Sequence, residues 1–156
     1  MSERDRIADQ FRRAFDGDAW HGPSVMEVLS DVTAQQASAR VFPGAHTVWE
    51  LALHIGAWEG ACLTRLQGER AELTDAEDWP AVMETTESAW QRCKSTLVDG
   101  NQKLRDAIAG LDEQRLDEPI LPGMPSVYIT VQGVVQHDLY HAGQIAILKK
   151  ALKEGS

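Results

Sequence analysis

The hydrophobic positions of this chain recur with the period of an α-helix, and no stretch of useful length alternates apolar and polar residues as a strand does. Near the N-terminus an apolar side chain returns every fourth residue between charged ones, which predicts an amphipathic helix over residues 3–15 that ends near Gly17. The apolar positions of this helix are Ile7, Phe11 and Phe15. The pattern therefore predicts helices from the start of the chain.

Two capping boxes mark the beginnings of the next helices. In a capping box a serine or threonine is followed three residues later by glutamate, and each side chain satisfies a backbone N–H of the first helical turn. The sequence from Ser24 predicts a short helix that runs to about Val32, and the sequence from Thr47 opens a long helix over residues 48–67. Residues 33–45 contain a Pro-Gly pair and are predicted to be a connection.

Two further long helices are predicted in the second half of the chain. Apolar residues that recur by sevens predict one helix over residues 81–109. Gly100 within it costs about 1 kcal/mol, and a break or kink there is the open alternative. A loop rich in proline and glycine follows, and the last helix begins at Ser126 or Thr130 and reaches Leu152. The residues that recur by sevens are Met83, Trp90, Leu97, Leu104 and Leu111.

The sum of these elements is four long amphipathic helices and one short accessory helix. Such a set buries its apolar faces most simply as an all-α four-helix bundle. With 156 residues, of which 43% are hydrophobic, we expect residues 1–156 to form a single domain with a substantial core.

Charge and composition exclude several classes of function. A formal net charge of −9 without any cluster of lysine or arginine argues against a nucleic-acid surface. No apolar run approaches the length of a membrane span, and the charged N-terminus does not look like a signal peptide. Cys62 and Cys93 form no Cys-x-x-Cys motif, so we expect buried, reduced thiols and a cytoplasmic protein.

The most informative chemistry is a pair of histidines in the last helix. His137 and His141 are four residues apart, so both imidazoles leave the same face of the helix and can converge on one ion. A lone histidine there would more simply be a packed core residue. An open metal site needs a third ligand, and His54 is the best candidate because it is mid-helix beside an apolar stripe, whereas His46 precedes a cap and His21 is in a loop.

Three neutral imidazoles leave the charge of a divalent cation uncompensated, which favours a catalytic site. Imidazole suits zinc, nickel, iron and copper alike, and of these we expect zinc or nickel. Asp138 stands where the zinc-protease motif HExxH has glutamate and points away from both histidines, so that motif is not present. We expect Asp138 to act as a base or to orient a ligand, with an ordinary buried acid as the open alternative.

Four further residues are candidates for the wall of the pocket. Trp58 is one turn beyond His54, although tryptophan at such positions is more commonly a packing residue. Tyr140 and Gln144 flank the histidine pair, where they would bond near the metal or face a partner subunit. His21 would reach the mouth of the site from its loop.

Segments around these histidines resemble the DinB/YfiT-like metalloprotein superfamily. The two that carry the resemblance are HTVWELALHIGAWE around His54 and GVVQHDLYHAGQIAILKKA around His137 and His141. Two more, AWHGPSVMEVL and DWPAVMETTESAW, are also similar, so the likeness covers most of the chain. The resemblance implies a four-helix bundle, often homodimeric, with a divalent metal held at the three matching histidines.

The resemblance also implies a range of activities. Relatives include transferases and isomerases that use bacillithiol, mycothiol or glutathione, and members described as metal-dependent hydrolases. The maleylpyruvate isomerase branch that uses mycothiol has a glutamate ligand, so the all-histidine pattern here gives no support to that activity.

We therefore expect a metal-dependent thiol S-transferase that acts on a small electrophilic substrate, with a low-molecular-weight thiol as cosubstrate. A hydrolase that uses metal-bound hydroxide and a non-catalytic dimeric module that binds a metal or ligand are the alternatives.

Overall fold

The computed structural model describes residues 1–155, and its regular secondary structure is helical. A short 3₁₀ helix, Glu113–Asp117, lies between the last two α-helices, and no strand occurs in this range beyond one isolated bridge. The all-α prediction is therefore confirmed. The α-helices are α1 (Glu3–Asp16), α2 (Val25–Leu29), α3 (Ala34–Ser38), α4 (Val48–Leu66), α5 (Asp75–Asp78), α6 (Glu87–Ala109) and α7 (Val127–Glu154).

The four long helices close into a bundle. Both α4 and α1 pack against α6 and against α7, so each long helix has two long neighbours. The predicted continuity of α6 through Gly100 is confirmed, and Ser126 is the N-cap of α7, one of the two predicted starts. None of the helices described is long and apolar enough to cross a membrane.

The predicted start of α6 was wrong by six residues. The helix begins at Glu87, because the hydroxyl of Thr86 accepts a hydrogen bond from the backbone of Ala89 at 3.1 Å and caps the first turn. Pro80 disfavours the helical conformation of the residue before it, and the chain has no helix from there to Thr86. Met83, the first residue of the repeat by sevens, is 87% exposed and takes no part in the core.

Two short helices occur where none was predicted. The region predicted as a connection, 33–45, contains α3, and the polar loop after α4 contains α5. Each begins with a complete capping box, formed by Thr33 with Gln36 and by Thr74 with Glu77. The predicted short helix is α2, which ends at Leu29 rather than at about Val32.

A layer of buried polar residues divides the core into two apolar clusters. Glu59 on α4, Asn101 on α6 and Asp138 on α7 are buried, and on each helix they separate the buried members of one cluster from those of the other. Along the same three helices, Ile55, Leu97 and Ala142 belong to the first cluster, and Cys62, Leu104 and Val134 belong to the second.

Candidate metal centre

Three histidine side chains from two helices meet between α4 and α7. The Nε2 atom of His137 lies 3.0 Å from Nε2 of His54 and 3.1 Å from Nε2 of His141. One nitrogen from each residue lies within 4.8 Å of the others. Nitrogens bound to one tetrahedral ion at about 2.0–2.1 Å are about 3.3 Å apart, so these spacings suit a shared ion.

Hydrogen bonds fix the protonation of two of the rings. Nδ1 of His54 is 2.7 Å from the carbonyl oxygen of Asp78, and Nδ1 of His141 is 2.6 Å from Oε1 of Gln144. Because these oxygens only accept, each Nδ1 carries the hydrogen and each Nε2 keeps its lone pair. The Nε2 of His137 can donate to only one of them at a time, so at least one lone pair at the centre is left without a donor. A cation at this point pairs with that lone pair, and the three residues therefore fit a metal ion.

Burial keeps the three imidazoles uncharged at neutral pH. Loss of solvent lowers the pKa of His141 to about 4 and also lowers the pKa of His54 and of His137. Metal binding requires the neutral form of histidine, so the site does not have to release protons at pH 7 before it can bind an ion.

The segment around α5 contacts His54 at Nδ1 and on a face of its ring. Oδ1 of Asp78 lies 3.0 Å from Nδ1 of His54 and accepts a hydrogen bond from Nε1 of Trp58 at 2.7 Å. Trp79 stacks flat on His54, with ring centroids 3.7 Å apart, and its other face stacks on His46 at 3.5 Å. Sequence reasoning missed Asp78 and Trp79 as site residues, because they end a helix of four residues that is too short to carry a periodic signal.

We expect Asp78→Asn to weaken metal binding about tenfold, since partners that orient a ligating histidine typically contribute 10–100-fold. The asparagine keeps the shape of the side chain but removes the negative charge next to Nδ1 of His54. Competition with a chromophoric chelator measures the affinity. Asp75→Asn, an exposed change in the same short helix, is the control. Equal affinities of the two variants would show that Asp78 does not support the site.

A buried pair of carboxyl groups lies behind His137. Asp138 is 0% exposed, and its Oδ1 is 3.7 Å from Nδ1 of His137. Oε1 of Glu59 accepts a hydrogen bond from Nδ2 of Asn101 at 2.7 Å. Within residues 1–155, Oε2 of Glu59 and both oxygens of Asp138 have no donor, so a hydrogen bond between the two acids requires a proton on one of them. Burial raises the pKa of both carboxyl groups well above their usual range. The charge of Asp138 raises the pKa of Glu59 further, whereas the hydrogen bond from Glu59 favours the ionised form of Asp138, so we expect the pair to share a proton that Glu59 carries.

The buried position of Asp138 restricts its possible role in catalysis. Its side chain is sealed from solvent and faces Glu59, so any effect on a substrate passes through His137. The arrangement resembles the ordinary buried acid that the sequence left open. That alternative expected a histidine or an arginine as partner, whereas Asp138 faces a carboxyl group as well as His137. Neither Glu59 nor Asn101 was predicted. An acid and an amide at core positions of their helices were the available signal.

We expect Glu59→Gln to gain stability relative to the wild type as the pH rises from 5 to 8. The folded wild type retains a proton that the unfolded chain releases above about pH 4.5, so its free energy of unfolding falls with pH, whereas glutamine does not titrate. The difference should grow by about 1 kcal/mol or more over this range. Urea unfolding of chelator-treated protein at several pH values measures it.

Glu77→Gln is the matched control, because the capping hydrogen bond from the Thr74 backbone lowers the pKa of the Glu77 carboxyl. Its contribution is complete above about pH 4.5 and is lost only below that, so the difference of this variant from wild type should stay flat from pH 5 to 8. A flat difference for Glu59→Gln as well would refute the shared proton.

Of the four predicted pocket residues, three have ring or hydrogen-bond contacts with the histidine cluster and one does not belong to it. Trp58 lies near His137, with ring centroids 6.1 Å apart, and Gln144 bonds His141 directly. The rings of Tyr140 and His141 are nearly perpendicular, with centroids 5.1 Å apart, and Tyr140 itself is exposed. His21 lies in an exposed turn and is not a member of the three-histidine cluster.

Two cavities flank the histidines along α7. The Arg65 cavity, of about 330 Å³, reaches His137 and is lined by residues that include Trp58, Cys62, Arg65, Met124 and Val134. The Phe42 cavity, of about 320 Å³, lies at the other side and is lined by residues that include Phe42, His46, Leu51, Gln144 and Ile147. Each volume suits a small organic molecule.

Fold and site together define an all-α bundle protein with a three-histidine cluster that can hold a metal ion. The family model of the DinB superfamily matches residues 20–145, a range that includes all three histidines, and the chain therefore belongs to that superfamily. No curated protein and no solved structure matches the chain.

Proposed function

We propose that this protein is a metal-dependent enzyme that transfers a thiol to a small electrophilic substrate, with zinc or nickel as the ion. The observation that carries the proposal is the convergence of three neutral Nε2 atoms, two of which have their lone pairs fixed toward the centre. A buried site with three protein ligands leaves a coordination position for a reactant, which is typical of catalytic rather than structural ions.

His54, His137 and His141 would hold the ion. A divalent ion on three uncharged imidazoles supplies the Lewis acidity that keeps a thiol ionised, and therefore nucleophilic, at neutral pH. The carbonyl of Asp78 and the amide of Gln144 keep two of the rings in the required orientation. Trp79 covers one face of His54 and excludes water from it.

The two cavities favour a transferase over a hydrolase. Transfer of a thiol needs room for two organic reactants, whereas hydrolysis needs room for one and for water. The Arg65 cavity ends at His137, and the Phe42 cavity ends at Gln144, which bonds His141. The Arg65 cavity reaches His137 directly, and we propose that a second reactant enters from the Phe42 cavity past Gln144.

An assay with a model electrophile tests this proposal. Protein loaded with zinc or nickel is incubated with bacillithiol, mycothiol or glutathione and monochlorobimane, and loss of the thiol is followed. We expect a rate above background with at least one thiol, and we expect His54→Ala to abolish it. A rate on ester or amide substrates without any thiol would favour the hydrolase instead. No metal-dependent rate in either assay would favour a non-catalytic module that binds a metal or ligand.

We also propose that the protein forms a homodimer. Tyr140 and Ile147 are seven residues apart on α7, and 66% and 63% of their surfaces are exposed, so they present a small apolar face to solvent. Light scattering after gel filtration should give the mass of two chains. Ile147→Lys should shift it to one, and an unchanged dimer in this variant would place the interface elsewhere.

A further inference from the structure

The Arg65 cavity has a composition that selects among substrates. Its wall is mostly apolar, with Trp58, Met124 and Val134 among the residues that form it. Arg65 is the only arginine or lysine among the described residues that line it. The thiol of Cys62 is not a second charge there, because burial raises its pKa to about 12.

Most of the polar side-chain groups that line this cavity are already paired, and the exceptions include Nδ1 of His137, which is buried, and one edge of Arg65. Nε1 of Trp58 donates to Asp78, and the hydroxyl of Thr130 donates to the carbonyl of Ser126 at 2.9 Å. Nε and Nη2 of Arg65 both donate to the carbonyl of Ala71, at 2.9 and 2.6 Å. Within residues 1–155, Nη1 has no such partner and remains available to a ligand.

The guanidinium of Arg65 is held in place before any ligand arrives. The two hydrogen bonds to Ala71 fix its plane, and its Cζ atom lies 5.7 Å from the centre of the Trp58 ring. The same ring lies 6.1 Å from His137. One molecule lying along Trp58 can therefore approach both the cation and the candidate metal centre, and little side-chain entropy is lost when it binds.

We propose that the Arg65 cavity binds the substrate as a monocarboxylate, with its apolar body against Trp58, its carboxylate at Arg65 and its reacting end toward His137. The proposal rests on the proposed function only for the chemistry at the histidines. Arginine recognises carboxylates through directed N–H groups. A doubly charged phosphate would leave one charge unpaired among apolar side chains, which is costly.

The mostly apolar lining of the Arg65 cavity also argues that the thiol cosubstrate binds in the Phe42 cavity. The Arg65 cavity holds on the order of ten water-sized groups and offers few free hydrogen-bond partners. A hydrophilic thiol conjugate carries many hydroxyl, amide or carboxylate groups, and their desolvation here would not be repaid. The Phe42 cavity is therefore the site left for the thiol.

Binding of 4-phenylbutyrate and of its neutral amide to the full-length protein tests the proposal by calorimetry, both with metal and after chelation. We expect the acid to bind at least about tenfold more tightly than the amide in both states, the size of one charge-assisted hydrogen bond. Arg65→Met should abolish this preference, and Arg65→Lys, which keeps the charge, should retain part of it.

Two glycines on α7 provide a matched test of location. Gly133 lines the Arg65 cavity and Gly143 does not, and a Cβ atom at either position meets nothing within 4 Å. Gly133→Leu should fill the cavity and abolish binding of both compounds, whereas Gly143→Leu should bind them as the wild type does.

Three outcomes would overturn the proposal. These are retention of the preference for the acid by Arg65→Met, binding of both compounds by Gly133→Leu as by the wild type, and loss of the preference on chelation, which would place the carboxylate on the metal. Failure of the proposed transferase activity is distinguishable, because binding that depends on Arg65 needs neither metal nor thiol.

Discussion

Replacing His141 by alanine is expected to lower the affinity for zinc at least about a hundredfold, more than the loss of a residue that only orients a ligand. The change removes one of the three Nε2 atoms, and it leaves Gln144 without the ring to which it is bonded. His54→Ala should have an effect of the same size, because it removes the one candidate ligand on α4.

Competition with a chelator, on protein purified without a histidine tag, measures these affinities. His21→Ala is the matched control, because His21 is exposed and apart from the three histidines, and its affinity should equal that of the wild type. Circular dichroism separates loss of binding from loss of fold. A folded His141→Ala protein that binds zinc as the wild type does would refute the proposed ligand set.

Replacing Trp90 by alanine is expected to lower the free energy of unfolding by about 3–5 kcal/mol, the usual cost of removing a large aromatic side chain from a core. Trp90 is 0% exposed and heads the largest fully buried side chains. Its ring packs on the ring of Trp49, with centroids 5.0 Å apart, and its Nε1 donates a hydrogen bond to the carbonyl of Val32 at 2.7 Å. The change therefore opens a cavity and leaves a buried acceptor unpaired.

Urea unfolding of chelator-treated protein measures this loss. Trp20→Ala is the matched control, because Trp20 is fully exposed and its removal should change the free energy of unfolding by less than about 0.5 kcal/mol. Trp90→Phe keeps most of the apolar volume and removes the N–H, so it should fall between the two. A loss below about 1 kcal/mol for Trp90→Ala would contradict the packing described here.

Periodicity predicted the parts of the fold that long helices determine. The last helix and the continuity of α6 through Gly100 followed from apolar spacing alone, because packing outweighs the cost of one glycine. The start of α6 was wrong because the exposed Met83 happens to stand seven residues before Trp90. Spacing alone does not show where a helix ends once its residues no longer face a core.

The short helices α3 and α5 have a recognisable signal in the sequence but were not predicted. Thr33-Ala-Gln-Gln and Thr74-Asp-Ala-Glu both have the form of a capping box, as Ser24 and Thr47 do. Helices of four or five residues carry too few apolar positions to show periodicity, so their caps are the better signal.

The residues of the candidate site were likewise predictable only in part. The spacing of His137 and His141 on one helix, with His54 in an apolar stripe of another, predicted which rings could meet. Trp79 and the carbonyl of Asp78 were not predictable, because their contacts with His54 depend on how the loop after α4 returns to that helix. Arg65 gave no signal either, since arginine in the last turn of a helix is common at exposed C-termini.

The pairing of Glu59 with Asp138 shows how packing can add chemistry that spacing does not contain. The two acids are on different helices and far apart in the sequence, and each alone resembles an ordinary polar residue. Antiparallel neighbours bring them together behind His137, in the layer that separates the two apolar clusters. The candidate site is therefore supported from its buried side by groups that are expected to share a proton.

The metal content of the wild-type protein tests the central claim most directly. Protein purified without a tag, and then reconstituted with zinc or nickel and dialysed, is analysed for metal by mass spectrometry. We predict about one equivalent per chain for the wild type and less than about a tenth for His141→Ala, as expected for a single site with three protein ligands. Less than a tenth of an equivalent in the wild type after reconstitution would contradict the account.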